Sequence, residues 1–154
     1  MRIFVDADSC PQIVRGIISR AAEREGLECV FAANRNIPLP ENDFLKMVIV
    51  EEGEGVADQY IIDNSTEDDI AVTRDIPLAA ELVENKVVVL NDRGEVFTPE
   101  NIRQRLSIRN VMKDFRDSGI MPDADNSFGR KEIQLFANAF DRELRKLIIK
   151  TKAV

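Results

Sequence analysis

The chain has 154 residues, of which 44% are hydrophobic, so it is long enough for one soluble domain with a substantial core. It contains no histidine and two cysteines, which excludes Ser-His-Asp and Cys-His nucleophile systems, histidine-ligated zinc and a disulfide framework, and leaves oxygen-ligated Mg²⁺ or Mn²⁺ as the metals to consider. The net charge of −7 argues against uniform affinity for nucleic acid.

The first half of the chain predicts strands that alternate with helices. Short apolar runs indicate three strands, at residues 3–5, 29–32 and 46–50, of which the first is predicted to be buried. Apolar residues at helical spacing predict a helix from Pro11 to Gly26 and a second helix that begins at Val56. The prolines and asparagines of residues 34–43 predict a loop.

The second half continues this alternation and then becomes helical. It predicts strands at residues 70–73 and 87–90, a helix that begins at Pro77, and a tight turn at residues 91–94. A long helix is predicted from Thr98 to near Gly119, with four side chains inward: Ile102, Leu106, Met112 and Phe115. A polar loop at residues 121–126 precedes an amphipathic helix over residues 133–148.

Strands that alternate with helices predict an α/β fold with three layers, in which helices cover both faces of a mostly parallel central sheet. We expect one domain over residues 1–154, with a basic helical C-terminal segment at residues 98–154. No strand separates the last two helices, so they are expected to pack together or against one face. The sequence shows no leader and no long apolar run, which predicts a cytoplasmic protein that does not enter a membrane.

Acidic residues follow nearly every predicted strand. Asp6 and Asp8 follow the first strand, Asp58 lies in the first turn of the helix after the third, and Asp75 and Asp92 follow the last two. Because the carboxyl ends of parallel strands meet at one edge of a sheet, these side chains are expected to converge there. Clustered carboxylates repel one another unless a cation lies between them, so the pattern predicts a Mg²⁺ or Mn²⁺ site that hydrolyses phosphodiesters.

Each acid also has a simpler interpretation. Asp8 or Ser9 could cap the first helix, Asp75 could cap a later one, and Asp58 could favour the positive end of its helix. The Asp92-Arg93-Gly94 sequence is typical of a turn, which for Asp92 is the favoured interpretation.

Five residues are candidates for contact with the substrate. Ser9 and Thr73 are placed to touch a phosphate, and Arg74 lies beside Asp75. Arg103 and Arg109 belong to the C-terminal segment, which has 12 basic and 8 acidic side chains, whereas residues 1–97 have 9 and 20. These cations could grip a nucleic-acid backbone, although charged helix faces are often simply solvated.

Four ordered motifs cover nearly the whole chain: MRIFVDADSCP at residues 1–11, GVADQYI at 55–61, AVTRDIPLA at 71–79 and NDRG at 91–94. With these motifs the sequence resembles the YaiI/YqxD family, uncharacterised bacterial proteins assigned to the PIN-like nuclease superfamily. The resemblance implies a PIN-like three-layer fold. By analogy with PIN nucleases it also implies that four acids bind the divalent metal, with Asp92 as a further member: Asp6, Asp8, Asp58 and Asp75. The chain departs from the family pattern at residues 123–129, where a Gly-Gly-Pro-type segment is expected.

The leading hypothesis is a Mg²⁺- or Mn²⁺-dependent nuclease that acts on RNA or single-stranded nucleic acid. One alternative is a metal- or RNA-binding module without catalysis. Another is a phosphatase of the haloacid-dehalogenase type with Asp6 as nucleophile, but no lysine follows Thr73 before Lys86. The sequence gives no prediction of the oligomeric state.

Overall fold

A computed structural model describes residues 1–119 and 128–152. The strands are β1 (Arg2–Asp6), β2 (Glu28–Ala33), β3 (Leu45–Ile49), β4 (Ile70–Val72) and β5 (Val88–Leu90). The helices are α1 (Gln12–Glu25), α2 (Val56–Asn64), α3 (Ile76–Glu84), α4 (Pro99–Asp117) and α5 (Arg130–Lys152), and a short 3-10 helix covers Ala7–Ser9. The predicted elements are therefore present in the predicted order, and the polar loop predicted at residues 121–126 lies outside the described residues.

The five strands form one sheet in the order β3-β2-β1-β4-β5, and every pair of neighbours is parallel. This confirms the predicted α/β class. The chain moves outward from β1 to β2 and β3, then returns to the other side of β1 for β4 and β5. The direction of strand addition therefore reverses between β1 and β4, and in open parallel sheets such a reversal creates a crevice outside the carboxyl ends of the two strands.

Alternating side chains of the strands fill two separate cores. On one face, Ile3 and Val5 of β1 pack with α1 and α5. On the other face, Phe4 packs with α2, α3 and the first turn of α4. Because side chains alternate between the faces of a strand, a strand covered on both sides must be apolar at its buried positions, as residues 3–5 of β1, 29–33 of β2 and 70–72 of β4 are.

The two C-terminal helices lie on opposite faces of the sheet. Helix α5 buries Phe136, Phe140 and Leu144 in the core beside α1, whereas α4 buries Ile102 beside α3. The prediction that these helices pack together or against one face is therefore wrong. The predicted inward position of Phe115 is also wrong, since 41% of this residue is exposed.

Within the described ranges 1–119 and 128–152, no helix has the length and apolar character that crossing a membrane requires.

Candidate metal site at the carboxyl edge of the sheet

Asp6 and Thr73 meet where the direction of strand addition reverses. Asp6 ends β1, and Thr73 directly follows β4, its neighbour in the sheet. The Thr73 hydroxyl donates a hydrogen bond of 2.8 Å to Oδ2 of Asp6, and both side chains are buried. This bond joins the two strands across the crevice and fixes the orientation of the Asp6 carboxylate.

Asp75 and Asp58 approach Asp6 from two helices. Asp75 is the N-cap of α3, where its Oδ1 accepts a hydrogen bond of 2.9 Å from the backbone N–H of Leu78. Helix α2 packs against β1, β2 and α3. Asp58 lies in the first turn of this helix. The charges of Asp75 and Asp6 are close enough to Asp58 to disfavour the ionisation of its carboxyl group. The helix-capping interpretation of Asp75 is thus correct, and it does not remove Asp75 from the cluster.

Asp8 and Ser9 lie in the 3-10 helix between β1 and α1. The capping interpretation is wrong for these two residues, because the N-cap of α1 is Pro11 and no side chain caps this helix. Asp8 instead forms an exposed ion pair of 3.3 Å with Arg35 and accepts a hydrogen bond from the backbone of Asn34. An exposed pair of this kind contributes at most about 1 kcal/mol and is easily exchanged for another partner.

An open cavity of about 620 Å³ joins these carboxylates. Four of the five predicted metal residues line it, together with three of the five predicted substrate residues: Asp6, Asp8, Asp58, Asp75, Ser9, Arg74 and Arg109. Arg103 is exposed on the same helix but does not line the cavity. The remaining wall includes the glycine-flanked Glu54 of the acidic turn before α2. Three chain segments, residues 6–8, 54–58 and 75, therefore bring acidic groups to one cavity.

The carboxyl groups in the cavity disfavour one another's negative charge. Burial raises the pKa of Asp6, hydrogen bonds from Thr73 and Ser9 oppose this effect, and the charges of Asp75 and Asp8 add to it. Burial also raises the pKa of Asp58 to about 6, with further contributions from Asp75 and Asp6. A cation placed between these groups would remove the repulsion, since it favours the ionised form of each carboxyl.

The side chains are close enough to interact electrostatically, but they are not arranged as a finished ligand set. Among residues 1–119 and 128–152, no three His, Cys, Asp or Glu side chains are grouped so that they could hold an ion as they stand. The donor chemistry fits Mg²⁺ or Mn²⁺, because carboxylate oxygens are the ligands these ions prefer, but the carboxylates must move closer together to hold an ion.

Asp92 is not brought into this cluster. It is buried after β5, where Nε and Nη2 of Arg74 both approach its Oδ2, at 2.7 Å and 2.5 Å. The turn interpretation is also incomplete for Asp92, because Asn91 stabilises the turn: its Oδ1 accepts the backbone N–H groups of Arg93 and Glu95. Asp92 therefore holds the Arg74 guanidinium beside the acidic cavity.

The sequence interpretation missed Arg93, which lies in the same turn. Its guanidinium is 5.7 Å from the centre of the Phe128 ring and 3.8 Å from Oε1 of Glu132. Arg93 and Arg74 both line a second cavity, of about 340 Å³, together with Asn91 and Asp92. A glycine after Arg93 indicated a turn, but no pattern in the sequence showed that this turn meets Arg74.

The raised pKa of Asp58 predicts how the stability of the metal-free protein depends on pH. The group binds its proton more tightly in the folded state than in the unfolded chain, so its favourable contribution is complete below pH 3.8 and is lost as the pH rises through about 6. We expect Asp58→Asn to gain stability relative to the wild type over this interval. Thermal unfolding of both proteins at each pH tests this, and an unchanged difference between them across the interval would contradict it.

Comparison with known proteins places these residues in a family. The family described as "Uncharacterized BCR, YaiI/YqxD family" matches residues 4–146. A protein named "UPF0178 protein" from Treponema denticola is 50% identical over 96% of this chain and 94% of its own length. Proteins of the same name from Psychromonas ingrahamii and Myxococcus xanthus are each 47% identical, over 95% and 96% of this chain and 97% of their own lengths. No solved structure matches the chain.

Proposed function

The chain belongs to the YaiI/YqxD family, and from this premise and the geometry of the acidic cavity we propose that it is a divalent-metal-dependent nuclease acting on RNA or single-stranded nucleic acid. The observation that carries the proposal is the convergence of Asp6, Asp58 and Asp75, from β1, α2 and α3, at the reversal point of the sheet. A purely structural role does not account for Asp6 and Asp58, whose ionisation is disfavoured by burial and by the charge of Asp75 beside them. The family description names no activity, and the likeness to PIN-like nucleases stays a prediction.

The proposed chemistry divides between the metal and the side chains. A bound Mg²⁺ or Mn²⁺ supplies a more acidic water and neutralises charge on a phosphate oxygen. Asp6, Asp58 and Asp75 would hold the ion, with Asp8 at the rim. Thr73 keeps the Asp6 carboxylate in one orientation by its hydrogen bond, and Ser9 lines the same cavity.

Two arginines give the cavity its affinity for a phosphodiester. Arg109 of α4 lines the cavity, as does Arg74, which follows β4 and is held by Asp92. An anionic substrate would otherwise be repelled by the carboxylates, so these cations are required to neutralise the phosphates on either side of the reacting one. The open, mainly polar cavity accommodates an extended strand rather than an enclosed small molecule.

The phosphatase alternative gains no support from the structure. A haloacid-dehalogenase-type site needs a lysine beside the nucleophilic aspartate, and no lysine is among the described residues that line the cavity. Lys86 precedes β5 and therefore lies at the amino edge of this parallel sheet, opposite Asp6. A metal- or RNA-binding module without catalysis uses the same carboxylates, so the experiment must separate binding from turnover.

A cleavage assay tests the proposal. Labelled single-stranded RNA is incubated with the protein and Mn²⁺, Mg²⁺ or EDTA, and products are resolved on a gel. We expect products with either metal and none with EDTA. Asp68→Asn is a suitable control, since Asp68 is an exposed acid at the amino edge of the sheet, and it should cleave at the wild-type rate. Metal-dependent RNA binding without products would contradict the nuclease and favour the binding module.

A further inference from the structure

We propose that the second cavity, between Arg74 and Arg93, is a phosphate-binding subsite that holds a phosphate of the nucleic acid next to the one in the acidic cavity. This inference rests on the proposed function for the identity of its ligand. The subsite itself is inferred from the positions of Arg74 and Arg93 and from their unused N–H donors. Both arginines, with Asn91 and Asp92, line about 340 Å³, which is ample space for a phosphate group and its water.

Arg74 joins the two cavities, because it lines both of them. Only its Nε and Nη2 groups face Asp92. A guanidinium carries five N–H donors in a fixed fork, so donors remain for an anion after this pair is made. The bond to buried Asp92 limits the rotation of Arg74, which reduces the conformational entropy that binding would cost.

Arg93 retains its donors too. Within the described ranges, its side chain makes no hydrogen bond, since the nearest carboxylate oxygen, Oε1 of Glu132, is 3.8 Å away. Its guanidinium carbon lies over the Phe128 ring, 5.7 Å from the ring centre, a cation–π contact that uses none of the N–H donors. An arginine whose N–H donors are not used by the protein can bind a phosphate through two parallel hydrogen bonds.

The turn that carries Arg93 is rigid. Asn91 accepts two backbone N–H groups at 3.0 Å, one of them from Arg93 itself. Gly94 has a φ of +85° and lies against the backbone of α5 at Leu135. Arg93 is thus presented by a braced turn, so the spacing of the two arginines is set before any ligand binds.

Binding to a ligand without the metal tests the subsite separately from the nuclease. The ¹⁵Nε–¹H signals of the arginine side chains are recorded by NMR during titration of the metal-free protein with inorganic phosphate. We expect the signals of Arg74 and Arg93 to shift and the signal of Arg145, an exposed arginine on α5 paired with Asp141, to stay unchanged. Uniform small shifts of all arginines, or none, would overturn the subsite even if the protein cleaves RNA. Specific shifts would support it even if no cleavage occurs.

A second experiment asks whether a nucleic acid uses the subsite. Affinity for a fluorescent single-stranded oligonucleotide is measured at several salt concentrations for the wild type, Arg93→Ala and the control Arg145→Ala. We expect Arg93→Ala to bind about tenfold more weakly, with a salt dependence reduced by roughly one phosphate contact, and Arg145→Ala to match the wild type. Equal affinity and salt dependence for Arg93→Ala and the wild type would overturn the role in nucleic-acid binding.

The oligonucleotide also identifies the kind of phosphate. The same strand is tested with and without a terminal 5′-phosphate. If the terminal phosphate improves binding and Arg93→Ala removes this gain, the subsite recognises a strand end. If both strands bind the wild type equally and both weaken in Arg93→Ala, the subsite holds an internal phosphodiester. A purely structural role of Arg93 would lower thermal stability without altering the salt dependence, and this pattern contradicts the proposal.

Discussion

Asp6→Asn is expected to reduce metal-dependent cleavage by at least about a hundredfold while the folded protein keeps or gains stability. Asp6 is buried at 8% exposure, and its pKa is raised by burial and by the charges of Asp75 and Asp8. Asparagine removes a disfavoured charge and still offers an oxygen to the Thr73 hydroxyl. Loss of activity with retained stability is typical of a residue kept for function at a cost in stability.

A second buried aspartate provides the matched control. Asp69 lies before β4, at the opposite edge of the sheet, and accepts three hydrogen bonds, from the backbone of Arg2 and from the backbone and hydroxyl of Thr66. Asp69→Asn should lose about 2 kcal/mol of unfolding free energy, because bonds to a charged acceptor are weakened, and should keep its cleavage rate. Urea unfolding and the RNA cleavage assay together test both variants. Equal activity of Asp6→Asn and the wild type would contradict the assigned role of Asp6.

Gly94→Ala is expected to destabilise the protein by roughly 3 kcal/mol, the largest stability effect we predict for a single methyl group. Gly94 has a φ of +85°, and an added Cβ would meet the Leu135 carbonyl carbon of α5 at 2.6 Å. Helix α5 cannot easily move away from the turn at residues 91–94, because the next residue of α5, Phe136, is fully buried and stacks on Phe140.

Gly26→Ala separates the two causes of this effect. Gly26 ends α1 with a φ of +65°, but its added Cβ would lie 3.9 Å from the Phe44 ring, an ordinary contact. Gly26→Ala therefore places an alanine in the left-handed conformation without a steric clash. We expect it to lose about 1 kcal/mol of unfolding free energy. Urea unfolding measures both variants. If Gly94→Ala and Gly26→Ala lose equal unfolding free energy, the contact between the turn and α5 is loose. Arg93 would then not be held in place.

The sequence predicted the elements of the fold well because burial leaves a local pattern. Strands such as β1 and β4 are covered on both faces and are short continuous apolar runs, and Pro11 and Gly26 mark the limits of α1. Amphipathic spacing shows that a helix has a buried side, but it does not show which layer receives it. For this reason the sequence predicted that α4 and α5 pack together or against one face. In the structure they lie on opposite faces of the sheet.

The candidate site could be predicted only in part, for a similar reason. Asp6, Asp58 and Asp75 were found because parallel strands and the helices that follow them bring such residues to one edge. The partner of Asp92 was not predictable, since Arg74 and Asp92 follow different strands whose adjacency depends on the strand order. Arg93 was missed because its surroundings come from α5, far along the chain.

The most direct test of the account is calorimetric titration of Mn²⁺ into the metal-free wild type and into Asp6→Asn at pH 7. We expect the wild type to bind Mn²⁺ in a defined event and the variant to bind at least about tenfold more weakly, since one of the carboxylates that hold the ion is lost. Identical binding by the two proteins, or no binding by the wild type, would contradict the claim that these acids converge to hold a divalent cation.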